Sequence, residues 1–181
     1  MIVQHGNLEI EIIGGLDLDS ANFELEYPTV LGVKMEFQPS TKHGIKITEN
    51  GIEKCSAILL ESGGATGISE SSFLVKNEQI YVCCSDYVYS LNISDLSTNW
   101  RKKLDMATCF GIYEFETDFI IHGELQVSRI DENGNEKWTF SGRDIFVNPN
   151  GKEEFKIKSD RIELTDWDNN LYILNADGIE I

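Results

Sequence analysis

Cys109 and His122 supply the two halves of a thiol–imidazole pair, and Asp118 or Glu124 could orient the ring. A thiolate raised by such a base is a nucleophile for covalent catalysis. The local sequence argues for a quieter role. Cys109 sits in ATCFGI, which reads as a buried strand start, and His122-Gly123 reads as a turn. Serine catalysis lacks its GxSxG elbow. His5, His43 and His122 show neither HxH nor HExxH spacing, so a zinc site would have to assemble from distant segments.

ESGGATG, Glu61 to Gly67, has the glycine content of a phosphate cradle, without the GK[ST] ending or the GxGxxG spacing. It reads as a turn between two sheets. DENGNE places oxygen ligands at Asp131, Asn133 and Asn135, but its Gly is at loop position four and Gly142 stands where a calcium loop needs a bidentate Glu. DWDNN, Asp166 to Asn170, offers the same two readings, and both stretches are expected to be turns. No catalytic residue, metal ligand or cofactor is assigned.

WTFSGRDIFVNP, Trp138 to Pro149, combines aromatics with Arg143 and Asp144. Arginine and aromatic residues together are the composition of interface hot spots. Arg143 and Asp144 could pair to fix a corner or project toward a partner. With His122, Glu124 and Trp138 they form the candidate binding set, and Cys109 joins them if a pocket exists.

The bulk charge narrows the partner. Net charge is −16, from 31 acidic and 15 basic residues, with the larger acidic excess in the C-terminal half. Nucleic acid would be repelled. A basic protein would be drawn in. The start MIVQHGNLEIEI has no basic leader region, and no later run has membrane-spanning length, so a cytoplasmic chain is expected. Cys55, Cys83, Cys84 and Cys109 form no CxxC pattern. Adjacent Cys83 and Cys84 would point to opposite faces of a strand.

Short β-branched and aromatic runs broken by turn pairs dominate from Phe73 onward: FLVKNEQIYVCC, YVYSLNI, FIIHGELQVSRI, FKIKSDRIEL and LYILNA. The expected class is all-β, with antiparallel blade-like sheets in an incomplete propeller-like or stacked arrangement. Asn133-Gly134 and Asp177-Gly178 predict hairpins of type I′, with Asn50-Gly51 a third and Asn150-Gly151 a fourth. NGIEKCSAILLESGG suits a strand better than a helix, although Ile52, Cys55 and Leu59 share a helical face. Residues 1–72 read as an N-terminal β-rich segment, a twisted antiparallel sheet, packed on blade-like repeats at 73–181 in one unit.

The repeats are visible in SDYVYSLNISDLSTNW and GELQVSRIDENGNEKW, each a strand, a turn and a Trp, with NNLYILNADGIEI a third copy. A period of about 38 to 46 residues belongs to propeller blades and their relatives. Gly134 precedes Trp138 by four, and the same step from Gly178 lands one position past Ile181. DNNLYILNADGIEI resembles the blade repeat of the quinoprotein-like (PQQ-type) β-propellers, in which a strand reading roughly LYALN is followed by a turn Gly and a Trp. That resemblance spans residues 73–181 and implies blade geometry. It carries over no cofactor-binding residue.

Acidity without catalytic motifs points to a small protein-binding module for a basic partner, an immunity-type inhibitor of a toxin being one concrete form. The alternative is an enzyme or small-ligand sensor with a pocket around Cys109, His122, Glu124, Arg143 and Asp144. An open sheet edge also allows a homodimer.

Overall fold

The computed structural model describes residues 1–15, 27–33, 39–148 and 154–181, and all regular structure among them is strand. The Asn150-Gly151 hairpin expectation lies outside the described residues. The first sheet holds β1 (Ile2–His5), β2 (Leu8–Gly14), β3 (Thr29–Gly32), β4 (Thr41–Glu49) and β5 (Ile52–Glu61), in the order β1-β2-β4-β5-β3. The second holds β6 (Phe73–Lys76), β7 (Gln79–Cys84), β8 (Tyr87–Asn92) and β9 (Thr98–Lys103) in sequence order. The third repeats that meander with β10 (Cys109–Phe115), β11 (Asp118–Gly123), β12 (Val127–Ile130) and β13 (Glu136–Phe140). The fourth has β14 (Phe155–Ile157), β15 (Ile162–Thr165) and β16 (Leu171–Leu174).

These sheets, A to D below, stack face to face, because strand alternation gives each middle sheet two apolar faces. In β7, Ile80, Val82 and Cys84 enter the core against sheet A, while Tyr81 and Cys83 enter the core against sheet C. The adjacent cysteines thus part to opposite faces, as expected. In β11, Phe119 and Ile121 face sheet B and Ile120 faces sheet D. Each fully buried side chain of this size contributes about 1.5–3 kcal/mol. The segment 52–61 is strand, and its outward face is covered by Tyr27, which packs with Ile58 and Leu60. Sheet A departs from the antiparallel expectation at β3, which pairs parallel to β5. It joins the free edge of β5 without a hairpin.

The up-and-down strand order sends every other connection to the same end of the stack. At one, here the turn end, lie Asn50-Gly51, Asn77-Glu78 and the turns at 92–97, 116–117, 131–135 and 175–179. Asn50-Gly51 is the expected I′ turn, with φ of 52° and 75°. Asn77-Glu78 makes another without glycine, at 50° and 58°. The turns at Gly134 and Gly178 differ from expectation: only the glycine has positive φ, and Asp131 accepts from Gly134 N at 3.0 Å. This is a type I turn closed by a left-handed residue, the three-residue hairpin loop.

A repeated clasp locks neighbouring sheets at this end. Trp100 of sheet B lies on Gly134 of sheet C and donates its indole N–H to Glu132 O at 2.9 Å. Trp138 of sheet C does the same to Gly178 and to Ala176 O, again at 2.9 Å. At the A–B junction Cys55 takes the Trp position, four residues after Gly51, with Sγ 4.0 Å from Ser94 O. Leu96 then stands where sheets C and D have glycine, and is fully buried. A small thiol with a large Leu fills the space of a large Trp with a Gly.

Candidate functional site

The opposite end, the loop end, is built around buried polar side chains. Asp105, 2% exposed, accepts from the backbone N–H of Ala107 (2.6 Å) and Thr108 (3.1 Å) through one oxygen. Its other oxygen accepts from Leu125 and Gln126, both at 3.0 Å, tying the B–C crossover to the β11–β12 turn. Thr66 donates to Ser85 O and Cys109 O at 3.2 and 3.1 Å, drawing the A–B crossover into the same layer. Glu61, also buried, accepts from Arg101 Nε and Nη2, at 2.6 and 2.7 Å, and from the Tyr89 hydroxyl.

His122, at the loop end of β11, is 3% exposed. Its ring stacks on Phe155 of sheet D (4.6 Å, 12°) and meets the edge of Phe110 (5.5 Å, 61°). Burial pulls its pKa down to about 4, against a smaller opposing pull from the Phe146 backbone, so the imidazole is neutral near pH 7. Its Nε2 meets no hydrogen-bond partner among the described residues. The ring lines a cleft of about 340 Å³ with Thr66, Ser69, Ser71, Phe110, Tyr113 and Glu154. Two further clefts, of about 560 and 450 Å³, adjoin it at Tyr113 and run along β14 and β6.

Of the expected site residues only His122 lines this cleft. Cys109 lies in the B–C core with Cys83 and Ile121, on the other face of sheet C from His122 and Phe155. Burial pushes its thiol well above the ordinary range. The thiol–imidazole pair therefore does not assemble. Glu124 is held by its backbone, accepting from Phe146 N at 2.7 Å and donating to Thr108 O at 2.8 Å. Arg143 and Asp144 are exposed and do not pair with each other. Arg143 N–H donates to the Tyr172 hydroxyl, and Asp144 caps Ile145 N at 2.8 Å. Trp138 is committed to the C–D clasp.

Asp131 and Asp166, weighed as calcium ligands, serve their own turns. Asp131 accepts from the N–H groups of Asn133 and Asn135, both at 2.8 Å. Asp166 accepts from Asn170 N at 2.8 Å and from the Tyr172 hydroxyl at 2.7 Å. Among the described residues no cluster of three metal-ligating side chains occurs. No helix among them is long and apolar enough to cross a membrane.

The turn end has a different chemistry. Glu78, Asp95, Glu116, Glu132 and Asp177 are exposed there, on turns of sheets B, C and D. Some have neighbours: Glu78 hydrogen-bonds the His5 ring at 2.9 Å, Glu116 pairs with Arg129, and Glu132 lies 4.0 Å from Lys76. No basic partner faces Asp95 or Asp177 among the described ion pairs. The sequence shows a larger acidic excess in the C-terminal half but no grouping at one end of the stack, because the end at which a turn emerges depends on strand order.

Four stacked sheets, antiparallel except for β3, with clasped turns define an all-β, propeller-like protein. Its backbone is similar to BamB from Moraxella catarrhalis, a PQQ-like propeller, with a TM-score of 0.52, 8% identity, and coverage of 76% of this chain and 44% of that one. It is also similar to the computationally designed Ika8 propeller, with a TM-score of 0.54, 9% identity, and coverage of 99% and 59%. The chain thus spans about half the length of these structures, and the likeness is one of fold. No family model and no curated protein matches the sequence.

Proposed function

We propose that this chain is a small acidic protein-binding module whose contact surface is the turn end, engaging the basic face of a protein partner. An immunity-type inhibitor of a basic toxin is one form of that function, with the cytoplasm as its working place. The observation that carries the reading is the row of exposed acids on successive turns, Glu78, Asp95, Glu116, Glu132 and Asp177. Their backbones are held by turn hydrogen bonds and, in sheets C and D, by the Trp clasps. A preorganised charged surface loses little conformational freedom on binding. Its field also speeds encounter with an opposite charge. The clasp spacing further supports a quinoprotein-like type of blade repeat, used here as scaffold.

The test is affinity capture with the tagged chain, washed in parallel at about 50 and about 500 mM salt, a range over which the Debye length falls roughly threefold. A basic protein held at low salt and released at high salt is expected. Equal capture by an Asp95→Lys, Glu132→Lys, Asp177→Lys variant would overturn the reading.

A further inference from the structure

The cleft at His122 lies at the end of the stack opposite the acidic turns and has its own chemistry. At about 340 Å³ it is within the lower range of small-ligand sites, roughly 300–1,000 Å³. Phe110 and Tyr113 give it flat aromatic walls. Its polar groups lean toward acceptors. Glu154 lines it, and its side chain takes no ion pair from a described residue. His122 is held by the rings of Phe155 and Phe110, with Nε2 buried and without a partner among the described residues. The Phe146 backbone is the one neighbour that favours the protonated ring, against the larger effect of burial. With the proton of the neutral ring on Nδ1, Nε2 keeps its lone pair as an acceptor. A buried polar atom without a partner calls for an explanation, and a ligand donor supplies one.

Among the described residues no lysine or arginine lines this cleft. Lys156 and Lys158 line the adjoining one, further along β14. An anionic ligand would therefore meet a carboxylate with no counter-charge from the described lining. A planar cation rich in N–H groups meets three complementary features: a carboxylate that accepts two parallel N–H donors, aromatic faces that attract positive charge, and a neutral imidazole acceptor.

We propose that this cleft is a binding site for a guanidinium group, clasped by the Glu154 carboxylate, stacked against Phe110 or Tyr113, and donating one N–H to His122 Nε2. The group has two sources, a free small guanidine or an arginine side chain of a partner protein, and the same chemistry recognises both. The site is independent of the acidic turn end, since no residue is shared.

The experiment titrates the full chain with agmatine and, separately, with N-acetyl-arginine amide, using 1-aminobutane as the non-planar cation control. Binding of agmatine with a Kd of about 1 mM or tighter is expected, with a loss of about tenfold in Glu154→Gln and little binding of 1-aminobutane. Similar affinity for the arginine amide identifies the side chain as sufficient, and preference for agmatine identifies a free ligand. The ¹⁵N shift of His122 Nε2 in the unaltered chain is the second readout and is expected to move on agmatine addition. A stationary His122 signal, unchanged affinity in a folded Glu154→Gln, or equal binding of 1-aminobutane would each overturn the proposal.

Discussion

The two ends of the stack use the same residue type in opposite ways. At the turn end acidic side chains are exposed and the backbone is held by a repeated clasp, a ring on a left-handed turn residue with an N–H to a carbonyl two positions earlier. At the loop end Asp105 and Glu61 are buried, and hydrogen bonds join one sheet to the next. Repetition suits the turn end, where tight hairpins leave one geometry to copy. Crossovers between sheets differ in length, so the loop end is irregular, and irregular packing leaves the cleft at His122. One end presents charge on a fixed frame, and the other offers an open cleft.

Removing the acid at each end separates these roles, and the largest effect is expected at Asp105. Asp105→Ala strips the acceptor from four backbone N–H groups. Unsatisfied buried donors cost about 1–3 kcal/mol each before relaxation and water offset them, so urea unfolding should show a loss of about 4 kcal/mol. Asp177→Ala at the turn end should stay within about 0.5 kcal/mol of wild type. Similar losses at both positions would erase the distinction.

The clasp itself is next in size. Trp138→Ala removes a ring packed on Gly178 together with an indole hydrogen bond, for an expected loss of about 3 kcal/mol in the same measurement. The A–B junction supplies a sharper version. Cys55→Trp alone should clash with Leu96, and Leu96→Gly alone should leave a void. The double variant should recover part of both losses, with a coupling energy of about 1–3 kcal/mol in a double-mutant cycle. Additive losses would mean that Cys55–Leu96 is not the counterpart of Trp–Gly.

A further effect, modest per pH unit, concerns pH and involves the cleft. Burial lowers the pKa of both His43 and His122 from 6.5 to about 4. A depressed histidine pKa stabilises the fold fully above 6.5. That contribution is lost as pH falls toward 4, at up to about 1.4 kcal/mol per pH unit for each group. Unfolding free energy should therefore drop between pH 6.5 and 4, and His122→Phe, which keeps an aromatic ring beside Phe155, should remove about half of the slope. An unchanged slope would place His122 in contact with solvent.

Much of the architecture is legible in the sequence because it depends on local rules. Unbroken apolar runs such as IYVCC and FII are consistent with strands buried on both faces, and Gly134 and Gly178 mark turns needing positive φ. Even the A–B junction carries a trace, since Cys55 follows Gly51 by the spacing that separates Trp138 from Gly134. The remainder depends on contacts between distant residues. Trp138 reads as an interface anchor until sheet D is placed beside it, 38 positions on in the chain at Ala176. Cys109 and His122 look like partners until the register, with its irregularity between Cys109 and Gly111, sends them to opposite faces. Asp105 and Glu154 stand in no motif, and nothing local distinguishes a buried acid in KLDMATC from an exposed one in NADGIE.

The most direct test of the acidic turn end as the binding surface is the affinity of the purified chain for its captured basic partner as a function of salt. The Asp95→Lys, Glu132→Lys, Asp177→Lys variant is measured alongside. The account predicts that wild-type affinity falls by about tenfold or more between roughly 50 and 500 mM salt, and that the variant binds weakly at both. Affinity that is flat with salt and equal in the two proteins would contradict it.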